Sequence, residues 1–190
     1  MDRSTAAWIV ALTVAGALAP RAAIANEAAW DALRAGGAVA LMRHARAPGT
    51  GDPPSFKLDD CATQRNLSEA GRAQSRRIGE TFRERSVSVD RVLSSAWCRS
   101  LETARLAFGK VEASAPLNSF FGQRKDEPEQ TRQVQVAIAA WRGPGVLAMV
   151  THQVNITALT REFPQEGEIL VLQPDGDGFR LVGKIPAVLP

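Results

Sequence analysis

Cysteine and histidine are scarce in this chain of 190 residues, which holds two of each. Cys61 and Cys98 permit at most one intramolecular disulfide, and the sequence leaves open whether they pair. His44 and His152 are far apart along the sequence, both from each other and from the cysteines. The closely spaced ligand pairs that typify zinc sites are therefore absent. We therefore expect no metal site.

Motifs of several common enzyme classes are also missing. The chain has no Gly-x-Ser-x-Gly elbow, which excludes the usual α/β-hydrolase nucleophile. It has no Gly-x4-Gly-Lys-Ser/Thr loop, which excludes a P-loop nucleotide site. The formal net charge of +3 arises from 23 basic and 20 acidic residues. Because such a balance is typical of a mixed surface, we expect no nucleic-acid partner.

The chain also lacks an apolar run of the ~20 residues that a membrane-spanning helix needs. Its N-terminal apolar run, residues 6–19, follows Arg3 and is too short. Ala23-Ile24-Ala25 then supplies the small-x-small pattern that signal peptidase recognises. We predict a signal peptide at 1–25, a mature domain at 26–190, and a periplasmic or secreted location without a stable membrane span after processing. An uncleaved membrane anchor is the alternative.

The remaining composition is that of a globular domain, with 45% hydrophobic and 23% charged residues. Short apolar runs alternate with helical patterns, which predicts a single α/β domain. Buried strands are predicted at 38–42, 91–94 and 145–151, and helices at 27–35, 68–85, 97–108 and 128–141. Two further strands, 168–173 and 178–185, flank a hairpin signal at Asp175-Gly176-Asp177-Gly178. The sheet should therefore be mixed rather than wholly parallel.

Each histidine directly follows a predicted buried strand, since His44 comes after 38–42 and His152 after 145–151. Ligands of open α/β sheets bind in the crevice outside the carboxyl ends of the strands. Both imidazoles are therefore expected in one crevice. A single histidine at a strand end is more often structural, but two such histidines and none elsewhere favour catalysis.

Two arginines are expected at the same crevice. Arg43 precedes His44, and Arg99 opens the helix after the second strand. Guanidinium groups bind phosphate oxygens in a bidentate way, and a helix N-terminus adds free amide donors. A solvated position in the first helical turn is the alternative for Arg99. Cys98, polarised by His152, is the alternative nucleophile.

Four blocks of sequence resemble, in order, the histidine phosphatase (phosphoglycerate mutase-like) superfamily and together cover roughly residues 38–160. The blocks are Leu41-Met42-Arg43-His44-Ala45, Leu67-Ser68-x-x-Gly71-x-x-Gln74, Ser94-Ser95-x-x-x-Arg99-x-x-x-Thr103-Ala104 and Val150-Thr151-His152. Small exported members, related to the lipopolysaccharide core heptose-phosphate phosphatase, are similar in size and targeting.

The resemblance implies a three-layer α/β sandwich with a mixed, mostly parallel central sheet. It also implies a phosphoric monoester hydrolase of the histidine acid phosphatase type. His44 would attack phosphorus to form a phosphohistidine, and Arg43, Arg99 and His152 would surround the transferred phosphoryl group. No metal or organic cofactor is required by this scheme.

Two positions depart from the family pattern. Ala45 stands where glycine is usual, and Gln153 stands where one branch has its acidic proton donor. The donor is therefore expected, as in the other branch, between the second arginine block and the last strand. Glu127 is the predicted donor and Asp126 the second choice, although an ordinary acidic helix start also explains the cluster. The carboxylates in that interval, beside Phe120-Phe121, are Asp126, Glu127 and Glu129.

The sequence thus predicts an exported phosphomonoesterase that acts through His44. Arg46, two residues further on, is either a substrate-binding residue or a solvated loop residue. A phosphotransferase or mutase and a catalytically silent phosphate-binding module are the alternatives. The substrate is expected to be a phosphorylated small molecule or an envelope phosphate. Sugar phosphates, phospholipid head groups, lipopolysaccharide phosphates and phosphoproteins all fit.

Overall fold

A computed structural model describes residues 21–188 of the chain, with residues 21–25 described by their backbone alone. Residues 1–20, which make up most of the predicted signal peptide, lie outside the described residues. Within 21–188, every helix is too short or too polar to cross a bilayer.

The centre of the described fold is one six-stranded sheet. Its strands are β1 (Val39–Arg43), β2 (Val89–Ser94), β3 (Glu112–Ala113), β4 (Val146–Thr151), β5 (Ile169–Asp175) and β6 (Gly178–Ile185). They lie in the order β3-β2-β4-β1-β5-β6. The first four strands of that order are mutually parallel, whereas β5 is antiparallel to both of its neighbours. The sheet is therefore mixed and mostly parallel, which confirms the predicted fold class.

Helices cover both faces of this sheet. They are α1 (Arg21–Ala35), α2 (Glu69–Glu84), α3 (Cys98–Phe108), α4 (Glu127–Ala139) and α5 (Gln153–Thr160). Trp30 and Phe82 belong to a buried cluster between α1, α2, α3 and one face of the sheet. Ile138 and Ile156 belong to a second cluster that seals α4 and α5 against the other face. The fold is thus a three-layer sandwich, held by two apolar cores.

The predicted elements agree with the observed ones, with differences at their ends. The strands and the helices after residue 68 begin and end within two residues of the predicted bounds. Helix α1 begins at Arg21 rather than at residue 27, because 21–25 contains no glycine or proline to stop it. The sequence patterns predict neither β3, which is too short to alternate, nor the full length of α5, where β-branched residues weaken the helical signal.

Helix α2 is fixed against the chain that follows β1. The Ser68 side chain caps this helix by accepting a hydrogen bond from the Gly71 backbone N–H. The Arg46 carbonyl accepts from the Ser68 backbone N–H at 3.1 Å. A Cβ at Gly71 would collide with that same carbonyl, so glycine is required for the close approach.

Candidate active site

The two histidines meet at the carboxyl ends of neighbouring parallel strands, β1 and β4. The His44 backbone N–H donates to the Thr151 carbonyl at 2.9 Å, which extends the strand pairing to the histidine itself. The ring centroids of His44 and His152 are 5.4 Å apart. Both imidazoles therefore lie in one crevice at the edge of the sheet.

The His44 ring is held in the form that a nucleophile needs. It is only 2% exposed, and its Nδ1 lies 2.8 Å from the Ala45 carbonyl oxygen, which can only accept. The proton therefore sits on Nδ1 and leaves a lone pair on Nε2. Burial, helped by the charges of nearby Arg99 and Arg43, lowers the pKa of His44 to about 3, although the Ala45 hydrogen bond opposes this. The imidazole is thus neutral at physiological pH.

His152 is anchored from both of its ring nitrogens. Nε2 lies 2.8 Å from the Ser95 hydroxyl, and Nδ1 lies 3.4 Å from Nη2 of Arg99. Because Arg99 can only donate, Nδ1 of His152 accepts and Nε2 carries the proton. The Ser95 hydroxyl accepts from Nε2 and donates its own hydrogen bond to the Asn118 side-chain oxygen at 3.3 Å. Burial, followed by His44 and the arginines, lowers the pKa of His152 well below its ordinary value.

Three guanidinium groups line the crevice, from Arg43, Arg65 and Arg99. Burial lowers the pKa of Arg43 and of Arg65, and the charge of Arg99 lowers both further. Arginine nonetheless keeps its charge, so the site concentrates positive charge around neutral imidazoles. Arg65 was not among the residues predicted from the sequence, although its position three residues before the helix cap Ser68 is a signal that could have found it.

Two carboxylates partly balance this charge. Glu166 lies between two arginines, with Oε1 at 3.7 Å from Arg43 and 3.9 Å from Arg65. Its Oε1 also accepts from the Ala47 backbone N–H at 3.2 Å. Asp52 pairs with Arg99 at 2.8 Å. With both carboxylates ionised, three guanidinium groups leave a net positive site suited to a dianion.

Buried donors without a protein partner lie in the same place. The Nε groups of Arg43 and Arg99 are buried and have no hydrogen-bond partner within residues 21–188. An unpartnered buried N–H group is costly, and an anion seated between the two guanidiniums would remove that cost. The arrangement therefore fits an oxyanion such as phosphate.

The crevice opens into a cleft of about 910 Å³. Phe56, Trp97 and Phe121 supply apolar walls, and Phe121 is 53% exposed. Gln123, Lys125 and Gln153 add polar groups along the same cleft. The volume and lining provide space for a ligand group beside the three guanidiniums.

The three predicted acids lie at different places around this cleft. Asp126 and Glu129 line it, whereas Glu127 is not among its lining residues and pairs with Arg124 at 3.2 Å. Hydrogen bonds from Arg132 and Gln133 lower the pKa of Glu129 to about 2, which opposes a role as a proton donor.

Arg46 and Ala45 complete the predicted positions. The Arg46 side chain is exposed and outside the cleft lining, and its backbone N–H donates to Gln74 at 3.0 Å. Ala45 is fully buried and clusters with Ala47 and Leu67. Its φ is not positive, so the backbone there accepts alanine without strain.

The cysteines form a disulfide, with their Cα atoms 5.7 Å apart. The bond between Cys61 and Cys98 removes the free thiol on which the alternative nucleophile depended, so that alternative is wrong. Within residues 21–188, His, Cys, Asp and Glu side chains form no group of three or more arranged to hold a metal ion.

Residues 39–119 match the histidine phosphatase superfamily, branch 1. The matched segment includes Arg43, His44, Arg65 and Arg99, and it confirms the resemblance at the level of the superfamily. His152 lies beyond it. No curated protein sequence matches the chain.

Solved structures share the fold at low sequence identity. SixA from Agrobacterium tumefaciens, described as a phosphohistidine phosphatase, is 24% identical and has a TM-score of 0.52 over 78% of this chain and 97% of its own. A SixA protein histidine phosphatase complexed with tungstate is 17% identical, with a TM-score of 0.54 over 79% and 97%. A protein from Escherichia coli described as an α-ribazole-5′-phosphate phosphatase is 13% identical, with a TM-score of 0.62 over 82% and 98%.

Proposed function

We propose that the protein is an exported phosphomonoesterase that transfers the phosphoryl group of its substrate to Nε2 of His44 and then to water. The observation that carries the proposal is a buried, neutral imidazole within a ring of three guanidinium groups. Its Nδ1 is engaged by the Ala45 carbonyl at 2.8 Å, so only Nε2 is free to attack. The superfamily match and the solved SixA structure with tungstate, a tetrahedral oxyanion, support the same reading.

In the first step, Nε2 of His44 attacks phosphorus in line, a P–N bond forms and the ester P–O bond breaks. Arg43, Arg65 and Arg99 stabilise the charge that spreads over the equatorial oxygens. The leaving oxygen takes a proton from an acid. In the second step, water attacks phosphorus and gives a proton to the carboxylate left by that acid, the P–N bond breaks, and the neutral imidazole and the acid are both regenerated.

The acid belongs to the carboxylates near the start of α4. Asp126 is now the better candidate than Glu127, because Asp126 lines the cleft while Glu127 pairs with exposed Arg124. The variants Asp126→Asn and Glu127→Gln, assayed separately, distinguish the two candidates. The variant that loses activity on poor leaving groups but keeps it on p-nitrophenyl phosphate, whose leaving group needs little protonation, identifies the donor.

The substrate proposed for this cleft is a phosphorylated small molecule or an envelope phosphate. The cleft volume of about 910 Å³ exceeds what a phosphate group alone requires, which supports an ester with a sizeable leaving group. Exposed Phe121 and Phe56 offer apolar faces for it. Export through the predicted signal peptide would place the enzyme among such substrates, in a compartment where a disulfide persists.

The decisive experiment compares hydrolysis of p-nitrophenyl phosphate by the wild-type protein and by His44→Ala. We expect phosphate release by the wild type, loss of turnover in the variant, and a phosphohistidine signal in the ³¹P NMR spectrum of the quenched wild-type enzyme. Equal inactivity of both proteins, together with phosphate binding, would favour a silent binding module. Transfer of phosphate to an added alcohol in preference to water would favour a phosphotransferase.

A further inference from the structure

Asp52 is the most heavily hydrogen-bonded carboxylate at the site, although nothing in the sequence motifs points to it. It lies in the loop between β1 and α2, and its side chain is 10% exposed. Its oxygens accept from Arg99 at 2.8 Å and 3.1 Å, from the Trp97 indole at 3.0 Å and from the Arg65 backbone N–H at 3.0 Å. Four donors from three residues therefore converge on this carboxylate.

The four hydrogen bonds that Asp52 accepts exclude it as the acid that protonates the leaving group. Burial alone would raise the pKa of Asp52, but the hydrogen bonds and charge of Arg99, with those of the Arg65 backbone and the Trp97 indole, hold it below its ordinary value. The group is ionised throughout the physiological pH range. Because it stays ionised, its role must be one that a fixed negative charge performs.

The contact fixes how Arg99 presents itself. Asp52 holds the Nη1 and Nη2 end of the guanidinium with two parallel hydrogen bonds. Nη1 also donates its second hydrogen to the Arg65 carbonyl, at an N–O distance of 3.3 Å. Nη2 donates its second hydrogen to Nδ1 of His152, at 3.4 Å. Nε is buried and unpartnered within residues 21–188. Both hydrogens of Nη2 are therefore engaged, and the Nε–H is the donor of Arg99 left for an oxyanion.

The loop that carries Asp52 is itself tied to the start of α3. The disulfide joins Cys61 of this loop to Cys98, the residue directly before Arg99. The Gln64 side chain accepts from the Cys98 backbone N–H at 3.0 Å. Asp52 and Arg99 thus lie on two segments that are bonded to each other, which restrains their relative positions.

We infer that Asp52 is a positioning residue that holds Arg99 with its Nε–H turned toward the transferred phosphoryl group. The inference rests on the proposed function. Without Asp52 the flexible guanidinium would keep its charge but lose its orientation, and a displacement of about 1 Å at such a contact can cost about 10²-fold in rate.

The test compares Asp52→Asn, which keeps the shape and removes the charge, with Asp59→Asn, an exposed position in the same loop. Turnover of p-nitrophenyl phosphate, binding of inorganic vanadate by calorimetry, and the thermal unfolding midpoint are measured for the oxidised proteins. We expect Asp52→Asn to lower kcat by about 10²-fold and to weaken vanadate binding about tenfold. Asp59→Asn should match the wild type in all three measurements.

A double-mutant cycle then separates positioning from general structural support. In an Arg99→Gln background, Asp52→Asn should have little further effect on kcat or vanadate binding, because its action passes through Arg99. Asp52→Glu, which restores the charge at a greater length, should recover part of the lost kcat.

Three outcomes would overturn the inference. One is an Asp52→Asn protein that equals Asp59→Asn in kcat and vanadate affinity. Another is tighter vanadate binding by Asp52→Asn, which would make Asp52 a competitor for the arginine. The third is a full additional loss in the Arg99→Gln background. If the wild type proves inactive, the proposed function fails, while vanadate binding by the same variants still decides the role of Asp52.

Discussion

At the scale of single residues, the site depends on which side chains keep their charge when buried. His44 and His152 give theirs up, because imidazole is easily neutralised in a dry environment. The arginines keep theirs, and they find Asp52 and Glu166 as partners. The same crevice therefore contains both a neutral imidazole and a cationic surface that fits an oxyanion.

Exchanging two nearby arginines tests this division of roles. Arg65→Gln should lower kcat/KM by roughly 10²–10³-fold, because it removes a preorganised charge from the crevice. Arg46→Gln, the matched control, removes the same charge from an exposed side chain outside the cleft lining and should change kcat/KM by no more than about twofold. Steady-state kinetics on p-nitrophenyl phosphate measures both. A large loss in Arg46→Gln would restore that residue as a substrate-binding candidate.

The depressed pKa of His44 predicts how stability changes with pH. The unfolded chain binds a proton near pH 6.5, whereas the folded protein does so only near pH 3. As the pH falls, the unfolded state therefore gains protons first. The contribution of His44 to the free energy of unfolding is complete above pH 6.5 and is lost toward pH 3. Between pH 6.5 and 4.5 the loss should be about 2–3 kcal/mol from this residue.

Urea unfolding at several pH values measures that loss. His44→Asn, which cannot titrate but can still donate to the Ala45 carbonyl, should show a shallower fall in the free energy of unfolding than the wild type. Parallel curves for the two proteins would show that His44 has an ordinary pKa. His152 should contribute in the same direction, since burial lowers its pKa also.

At the scale of elements, small residues set how closely the helices pack. A Cβ added to Gly79 of α2 would collide with the Ala107 carbonyl of α3. Gly79→Ala should therefore cost about 1–3 kcal/mol of stability by overpacking, despite the better helix propensity of alanine. Gly122→Ala is the control, because nothing lies within 4 Å of its added Cβ. Chemical denaturation distinguishes them, and equal stability of both variants would contradict the packing argument.

The disulfide gives a second prediction at this scale. It closes a loop with a sequence separation of 37, and such a loop corresponds to about 4 kcal/mol of unfolded-state entropy. The Cys61→Ser/Cys98→Ser double variant should unfold at a lower urea concentration, and its free energy of unfolding should fall by up to about 4 kcal/mol. It should also lose kcat, because the loop that carries Asp52 is no longer bonded to α3. Unchanged kcat in a destabilised but folded variant would show that the hydrogen bonds of the loop, such as that of Gln64, hold it without the disulfide.

The sequence predicted those elements whose side-chain pattern repeats, and it missed what depends on contacts across the chain. The apolar runs before His44 and His152 identified two buried strands, and the strand ends placed both imidazoles at one crevice. The sequence did not predict Asp52 and Arg65 as site residues, because the loop that holds them has no periodic side-chain pattern. Their proximity to Arg99 is set by the disulfide and by loop hydrogen bonds, which only the folded structure displays.

At the scale of the whole molecule, the described residues of the two apolar cores and of the site all lie in the mature domain predicted from the sequence, since the cores begin at Ala29. Among the α1 side chains that the structure describes, residues 26–35, the first buried one is Ala29, followed by Trp30 and Leu33, whereas Glu27 and Ala28 are exposed. Cleavage after Ala25 would shorten α1 yet retain Ala29, Trp30 and Leu33, which pack in the core. The mature domain proposed from the sequence, 26–190, therefore keeps both cores.

Processing of the full chain in a bacterial host tests the proposed export. The wild-type protein should appear in the periplasm with Asn26 as its first residue and without free thiols, as read by intact mass and thiol titration. Ala25→Asp should block cleavage, since signal peptidase requires a small residue there, and should leave an uncleaved, membrane-associated chain. A cytoplasmic wild-type chain that retains its first residues and two free thiols would refute export. It would also leave the Asp52 loop without its covalent tie, so activity assayed before and after oxidation would then reveal how much of the site depends on that bond.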